Sequence, residues 1–514
     1  MTSVQAGLVT RTPHRIEANP SRVITRLFVP GQEGFEHQES RAAAVLARIL
    51  ALDEGQVRAS LDDVVTRFDE RHRDLADIFR RHACELADRL DPDRELSETR
   101  KLLLGATFTS EYAIEGAALC NPSMVAHPDQ AGTAAGSLRF VMSVRGIGEG
   151  HRSSIGFRTG VVDAAGGVTI DDPAPFATAG APKPALLDAA VFRSELARLD
   201  DGGEAADFVL QRLGQSFTRA DLDQQLAHLQ THLSTRGHAE QTISSIRSIA
   251  ERTYSVEFSN STALSERVLW PSTDVEQAGM EDARFVRFID DGAITFYATY
   301  TAYSGSHISQ QLLQTTDFKS FTSTPIVGCA AADKGLALFP RRIRGRFAAM
   351  SRSDRESNAV AYSDRLSVWS SALPCQSPTR DWEALQLGNC GPPIETDAGW
   401  LVLTHGVGPM RTYRIGAILL DLDDPTRILG QLRQPLLSPA SDERDGYVPN
   451  VVYSCGALVH AGTLVLPYGI ADASIGIATV PLPELIAALC PEVQDISSGT
   501  TAPMPLFSNL ELRP

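Results

Sequence analysis

With 514 residues, 43% of them hydrophobic and 21% charged, the chain can hold one large domain or two to three smaller ones of ordinary soluble composition. A formal charge of -16 excludes a general nucleic-acid binder and docking on an anionic membrane surface. Its seven cysteines, with no CxxC pair and no even framework, read as free thiols of a reducing compartment, against a zinc ribbon or a disulfide scaffold.

Residues 1–37 read as a polar N-terminal extension, with Pro13 and Pro20, that is loose or lies across the surface. They hold no apolar signal core, and no run of about twenty apolar residues occurs anywhere, so a cytoplasmic protein without a membrane partner is expected. Residues 38–116 read as helical. Ala42 to Leu52 is helix-forming, and Val65, Phe68, Leu75, Phe79 and Leu86 recur at helical spacing within 61–90.

Strand signals begin near Asn121, and 138–144 and 154–162 are predicted strands. The glycine-rich turn between them, 146–150, lacks a Lys-Ser/Thr ending and a following helix, so it does not read as a phosphate loop. Residues 173–184 form an Ala/Pro linker, and about 185–250 a helical insertion carrying Leu187, Leu222, Leu226 and Leu229. From 254 to about 486 only short strands and turns follow, without βαβ crossovers, which predicts a mainly β fold: a propeller, a sandwich or a barrel. Residues 491–514 read as a tail.

A loose repeat chooses among these architectures. Asn121, Asp282, Lys334, Pro392 and Asn450 each open a unit of a polar segment, a turn and two apolar strands. The later openings lie about 50–60 residues apart, the length of a four-stranded blade. The longer first interval has room for one unit plus the helical insertion. Five units predict a five-bladed β-propeller over 117–490, with the openings converging on one central funnel. The segment Glu281-Asp282-Ala283-Arg284 stands out within it. Strand residues alternate faces, so both carboxylates can enter one site only if the backbone bends between them.

The ordered motifs resemble glycoside hydrolase family 130, the mannoside phosphorylases and β-mannosidases built on five-bladed propellers. They are Asn121-Pro122-Ser123, Gly279-Met280-Glu281-Asp282-Ala283-Arg284, Asp333-Lys334-Gly335 and Gly391-Pro392-Pro393-Ile394, then Thr404-His405-Gly406-Val407, Tyr413-Arg414-Ile415-Gly416, Val448-Pro449-Asn450 and Tyr468-Gly469-Ile470-Ala471-Asp472. The resemblance covers roughly 105–490, and the additional helices mark a long-chain subgroup. Ala283 stands where the family often has proline, and Glu395 where many of its phosphorylases carry lysine.

The resemblance implies inverting phosphorolysis of β-mannosides (manno-oligosaccharides) to α-mannose 1-phosphate and a shortened acceptor. Asp282 would be the acid, acting through a mannosyl hydroxyl, with its pKa raised by burial and by the Glu281 charge. Glu281 and Arg284 would shape the sugar pocket. Asp472, Asn121 and Ser123 would line the subsite before the cleaved bond, with Arg158 either a further contact or a structural ion pair. Tyr303 and His307 would face the acceptor. Lys334 and Arg352, helped by His405 and Tyr413, would bind phosphate. Glu395 would be the water-activating base of the alternative, an inverting β-mannosidase. A non-catalytic sugar-binding propeller is the second alternative. His151 has no metal-ligand partners at useful spacing. Inorganic phosphate is the co-substrate, no metal or organic cofactor is implied, and the additional helices would serve as a homo-oligomer interface or a lid.

Overall fold

Along the strand Gly399–Gly408 every residue is buried. Its two faces meet different neighbours: Trp400 and Val402 pack into one hydrophobic cluster, Leu401 and Leu403 into the next. A strand covered on both sides carries a near-continuous apolar run instead of the alternation of a half-exposed sheet. In the computed structural model, which describes residues 7–31, 40–90, 95–231 and 239–490, this arrangement recurs through the chain. The fold is mainly β.

Five antiparallel units follow one another. The first comprises Ala118–Ala126, Leu138–Ile147, Ser153–Val162 and Val168–Ile170; the second, Gly279–Asp290, Ala293–Tyr303, Ile308–Thr315 and Ser320–Ile326. One parallel pairing, Gly279 with Ser153, joins these two into a single larger sheet. The third unit runs from Ala337–Leu338 to Ala372–Gln376, the fourth from Gln386–Asn389 to Ile428–Gln431, and the fifth from Val452–Tyr453 to Ser474–Pro481.

The core is divided in step with them. The first and second units share a cluster containing Phe157, Phe285 and Phe318; the second and third share one around Phe288 and Leu338. Trp400 and Met350 lie between the third and fourth, and Leu403 and Leu466 between the fourth and fifth. A further cluster, with Met124, Phe140, Val465 and Ile477, links the fifth unit to the first.

Within the expected 1–37 extension, the described residues 7–31 are not loose. Thr10–Ile16 adds antiparallel to Ser474–Pro481 of the last unit, and Val23–Leu27 pairs with Thr109–Ala113. The expected 1–37 extension therefore contributes strands, and Ile24 enters an apolar cluster with Ile114, Val268 and Trp270. Residues 61–90 are not one helix either. Glu54–Phe68 ends in a short 3-10 turn, and Leu75–Glu85 restarts after Asp74, whose φ of 54° lies in the left-handed region. Within the insertion, Ala189–Arg198, Glu204–Leu210, Arg219–Gln230 and Ala239–Glu251 bury one shared cluster. The tail, 491–514, lies outside the described residues. Among the described residues no helix is long and apolar enough to cross a membrane.

Candidate active site

Two of the inner strands carry the same irregularity at the same place. In Ala118–Ala126 the register against the next strand slips between Cys120 and Ser123, and Asn121 has a φ of 46°. In Gly279–Asp290 it slips between Glu281 and Arg284, and Asp282 has a φ of 55°. A bulge of this kind adds a residue to one strand and re-aims its side chain, and short Asn and Asp side chains tolerate the left-handed conformation best. This is the bend that lets Glu281 and Asp282 enter one site. Both, with Asn121, line a cavity of about 270 Å³. Later segments supply Lys334, Arg352, Asn389, His405, Tyr413, Tyr453 and Asp472 to the same walls.

Glu281 is clamped: Arg145 Nη2 donates to one carboxylate oxygen at 2.7 Å and Lys334 Nζ to the other at 2.6 Å. Asp282 faces three cations. Arg284 Nη2 lies 3.7 Å and Arg145 Nη1 3.9 Å from its oxygens, with Lys334 in the same field. Burial pushes the Asp282 carboxyl up, but these charges outweigh it and hold its pKa below the ordinary carboxylate value. The expected rise is thus reversed in the ligand-free site, since the Glu281 charge is already neutralised by its own partners. Arg284, itself buried, donates to the Asp282 carbonyl at 3.0 Å and to the Tyr453 hydroxyl at 2.8 Å.

Asp472 behaves oppositely. Burial, with Arg145 opposing it and the Asp282 charge adding to it, raises its pKa to about 6, and its Oδ1 is buried without a partner among the described residues. Both Ala471 and Asp472 have left-handed φ values that turn this carboxyl into the cavity. His405 is pushed down to about 3 by burial and by Arg352, so its ring is neutral. Nδ1–H donates to the Asn389 carbonyl at 3.1 Å, which leaves the Nε2 lone pair facing Arg352 Nη1 at 3.4 Å. Tyr413 stacks on the imidazole at 6.0 Å between ring centres, and Tyr453 meets it edge-on at 5.0 Å. Among the described residues Arg352 has only long contacts, to His405 and to Asp333 Oδ2 at 3.5 Å, and its buried Nε is unpartnered.

Five cations (Arg145, Arg284, Lys334, Arg352, Arg411) thus meet three carboxylates (Glu281, Asp282, Asp472) in one cavity. The surplus positive charge suits an anionic ligand beside a carboxyl group.

Five expected site residues lie elsewhere. Ser123 is fully buried and its Oγ accepts from the Phe285 backbone N–H at 3.1 Å, tying the first inner strand to the second. Arg158 is buried against Glu115, bonded at 2.7 and 2.9 Å, and is a structural ion pair. Tyr303 donates to the Gly305 carbonyl at 2.7 Å, and neither it nor the exposed His307, whose Nδ1 lies 2.8 Å from Ser306 Oγ, lines the cavity. Glu395 is exposed on the hairpin strand Ile394–Thr396 and is held by Arg341 at 2.6–3.0 Å, outside the cavity. Conversely, Arg145, Asn389, Arg411 and Tyr453 are cavity residues that motif reading passes over. The signal for Arg145 was its place opposite Cys120, beside the bulge at Asn121; the predicted strand stopped one residue short of it.

The sequence model of glycoside hydrolase family 130, described as beta-1,4-mannooligosaccharide phosphorylase, matches residues 238–490. A 1,2-beta-oligomannan phosphorylase of Thermoanaerobacter sp. (strain X514) is 32% identical over 226 residues, which are 43% of this chain and 75% of that protein. The chain belongs to glycoside hydrolase family 130. Two beta-1,2-mannobiose phosphorylases are also similar to this family 130 chain. That of Listeria innocua is 30% identical over 43% of this chain and 63% of its own length; that of Thermoanaerobacter sp. (strain X514) is 35% identical over 40% and 68%. The solved Listeria innocua beta-1,2-mannobiose phosphorylase in complex with beta-1,2-mannobiose aligns at 20% identity, covering 74% of this chain and 93% of that one, with a TM-score of 0.43. The family 130 match takes in Asp282, Lys334, Arg352, His405, Tyr413 and Asp472, and leaves Asn121 and Arg145 outside it.

Proposed function

We propose that this family 130 member is an inverting phosphorylase that converts β-mannosides and inorganic phosphate into α-mannose 1-phosphate and a shortened acceptor. The names of three relatives make a β-1,2 linkage the first to test. The observation that carries the reading is the cation surplus that shares a single cavity with Asp282 and Asp472. The five antiparallel units act in this account as blades of a five-bladed propeller, a reading supported by the clusters shared between consecutive units and between the last and the first. Residues 117–490 form the catalytic domain, with the helical insertion as an appendage.

In the reaction, Lys334, Arg352 and Arg411 present phosphate to the face of the anomeric carbon opposite the leaving oxygen, with Tyr413 and the neutral His405 beside it. A phosphate oxygen forms the new bond as the glycosidic C–O bond breaks. The Asp282 proton passes to a mannosyl hydroxyl, whose own proton moves to the leaving oxygen. Asp282 is ionised in the free site, so phosphate has a second task. Its negative charge offsets Lys334 and Arg352, and the proton affinity of Asp282 rises only when the co-substrate is bound. Asp472, whose pKa lies near 6, exchanges hydrogen bonds with hydroxyls of the bound mannose. Glu395, committed to Arg341, leaves the hydrolase alternative without its expected base. Product analysis on β-1,2-mannobiose with and without phosphate tests the proposal: sugar phosphate must form, and only when phosphate is present. Free mannose formed without phosphate would overturn it.

A further inference from the structure

The acceptor side of the site is without an assigned contact, since Tyr303 and His307, expected there, do not line the cavity. That cavity, at about 270 Å³, lies just below the roughly 300–1,000 Å³ usual for small-molecule sites. It has room for the reacting mannose and phosphate, and further units of an oligosaccharide must leave through its mouth. Arg411 marks that mouth: it lines the cavity and is exposed, whereas Arg284 and His405 are buried in the walls.

The turn that carries Arg411 has a counterpart in the first unit. Gly408-Pro409-Met410-Arg411 leads from the strand Gly399–Gly408 into Thr412–Leu420, and Gly148-Glu149-Gly150-His151 joins Leu138–Ile147 to Ser153–Val162. The leading glycines share one extended conformation (φ -114°, ψ -160° and φ -113°, ψ -154°), and the last two residues of each turn are left-handed. His151 thus stands in the first unit where Arg411 stands in the fourth, at the rim.

The exposed His151 meets a residue of the fifth unit there. Its Nδ1 lies 3.1 Å from the Tyr447 hydroxyl, and the two rings are 6.1 Å apart with a tilt of 38°. The next residue, Val448, lines the cavity, and its N–H donates at 2.8 Å to the carbonyl of Ala471, the neighbour of Asp472. Tyr447 therefore sits at the mouth on the side of Asp472. It is 45% exposed, which leaves a large part of its ring open to a ligand. An aromatic ring offers the apolar C–H face of a pyranose a broad, rigid contact, and the bond to His151 holds this ring in place before the sugar arrives.

We infer that Tyr447, anchored by His151, forms a sugar subsite outside the cavity. It stacks on the second acceptor unit of a β-manno-oligosaccharide, the one after the unit next to the cleaved bond. The inference rests on the phosphorylase reading above and adds to it a means of favouring chains of three or more sugars.

The test compares kcat/KM for mannotriose with that for mannobiose at saturating phosphate, in the β-1,2 and the β-1,4 series, with sugar phosphate as the measured product. Tyr447→Ala in the full chain must lower the triose-to-biose ratio at least threefold in the series that is turned over. Tyr447→Phe keeps the ring and loses the bond to His151, so its ratio must fall between those of the parent and of Tyr447→Ala. The position is exposed, so both variants are expected to melt as the parent does. A ratio that falls less than threefold in Tyr447→Ala, or as far in Tyr447→Phe as in Tyr447→Ala, overturns the subsite while sugar phosphate still forms. No sugar phosphate from any of the four substrates in the parent overturns the phosphorylase reading itself, and the subsite with it.

Discussion

Arg352→Ala isolates the phosphate side of the account. The guanidinium is almost buried, with 12% of the side chain exposed, and its contacts inside the protein are two long ones at 3.4 and 3.5 Å. Its donors are therefore available to a ligand. A hydrogen bond from a charged donor contributes about 1.5–3 kcal/mol, and a fork engages two at once. Allowing for water replacing part of the loss, truncation should remove about 3 kcal/mol of phosphate binding, or roughly 150-fold in KM for phosphate. Arg352→Lys keeps the charge and loses the fork, so its effect should be smaller, about tenfold. Folding stability should fall by no more than about 1 kcal/mol, because so little is bonded to this group in the free protein. Initial rates with phosphate varied at saturating mannoside, alongside thermal melts, give both quantities. A KM for phosphate within about threefold of the parent's, in a variant that melts normally, would refute the assignment.

Asp282→Asn should lower kcat by about 10²–10⁴-fold, the usual contribution of general acid catalysis, with mannoside binding retained; single-turnover rates with the folded variant check it. For Asp472 the folded pKa of about 6 lies above the ordinary 3.8, so its protonated form is favoured by folding. That contribution is complete below the unfolded value and is lost as pH rises from about 4 through 6. Asp472→Asn should therefore gain about 2 kcal/mol in stability relative to the parent between pH 4 and 7, read from urea melts across that window, and a constant difference would contradict the burial argument. Glu395→Gln should leave turnover and its phosphate dependence unchanged and cost under about 1 kcal/mol, since it loosens one exposed ion pair; a loss of activity would return Glu395 to the mechanism.

Much of the site could be read along the chain because the inner strands start with unusual polar residues. Asn121, Glu281, Asp282, Arg284, Lys334, Arg352, His405, Tyr413 and Asp472 are all brought to one cavity. The failures have physical causes. Ser123 sits beyond the bulge at Asn121, and the extra residue shifts which way it faces, a change invisible to strict alternation. Arg158 looks like any buried cation until Glu115, from the segment before the first inner strand, is seen to cover it. Glu395 lies in a hairpin whose exposed side meets Arg341, which is 54 residues away in the chain. The lowered proton affinity of Asp282 is hidden from the sequence for a related reason. Its neighbour Glu281 is adjacent in sequence, whereas Arg145 and Lys334, which neutralise that neighbour, come from other units. In the same way Thr10–Ile16 reads as a polar tail because its partner strand lies at the opposite end of the sequence.

The most direct measurement is time-resolved proton NMR of the anomeric signal during turnover of β-1,2-mannobiose with phosphate. The account predicts that the first product signal is α-mannose 1-phosphate, that it grows in step with mannose released as acceptor, and that it vanishes when phosphate is omitted. A β-configured sugar phosphate, or two free mannose molecules released without phosphate, would contradict it.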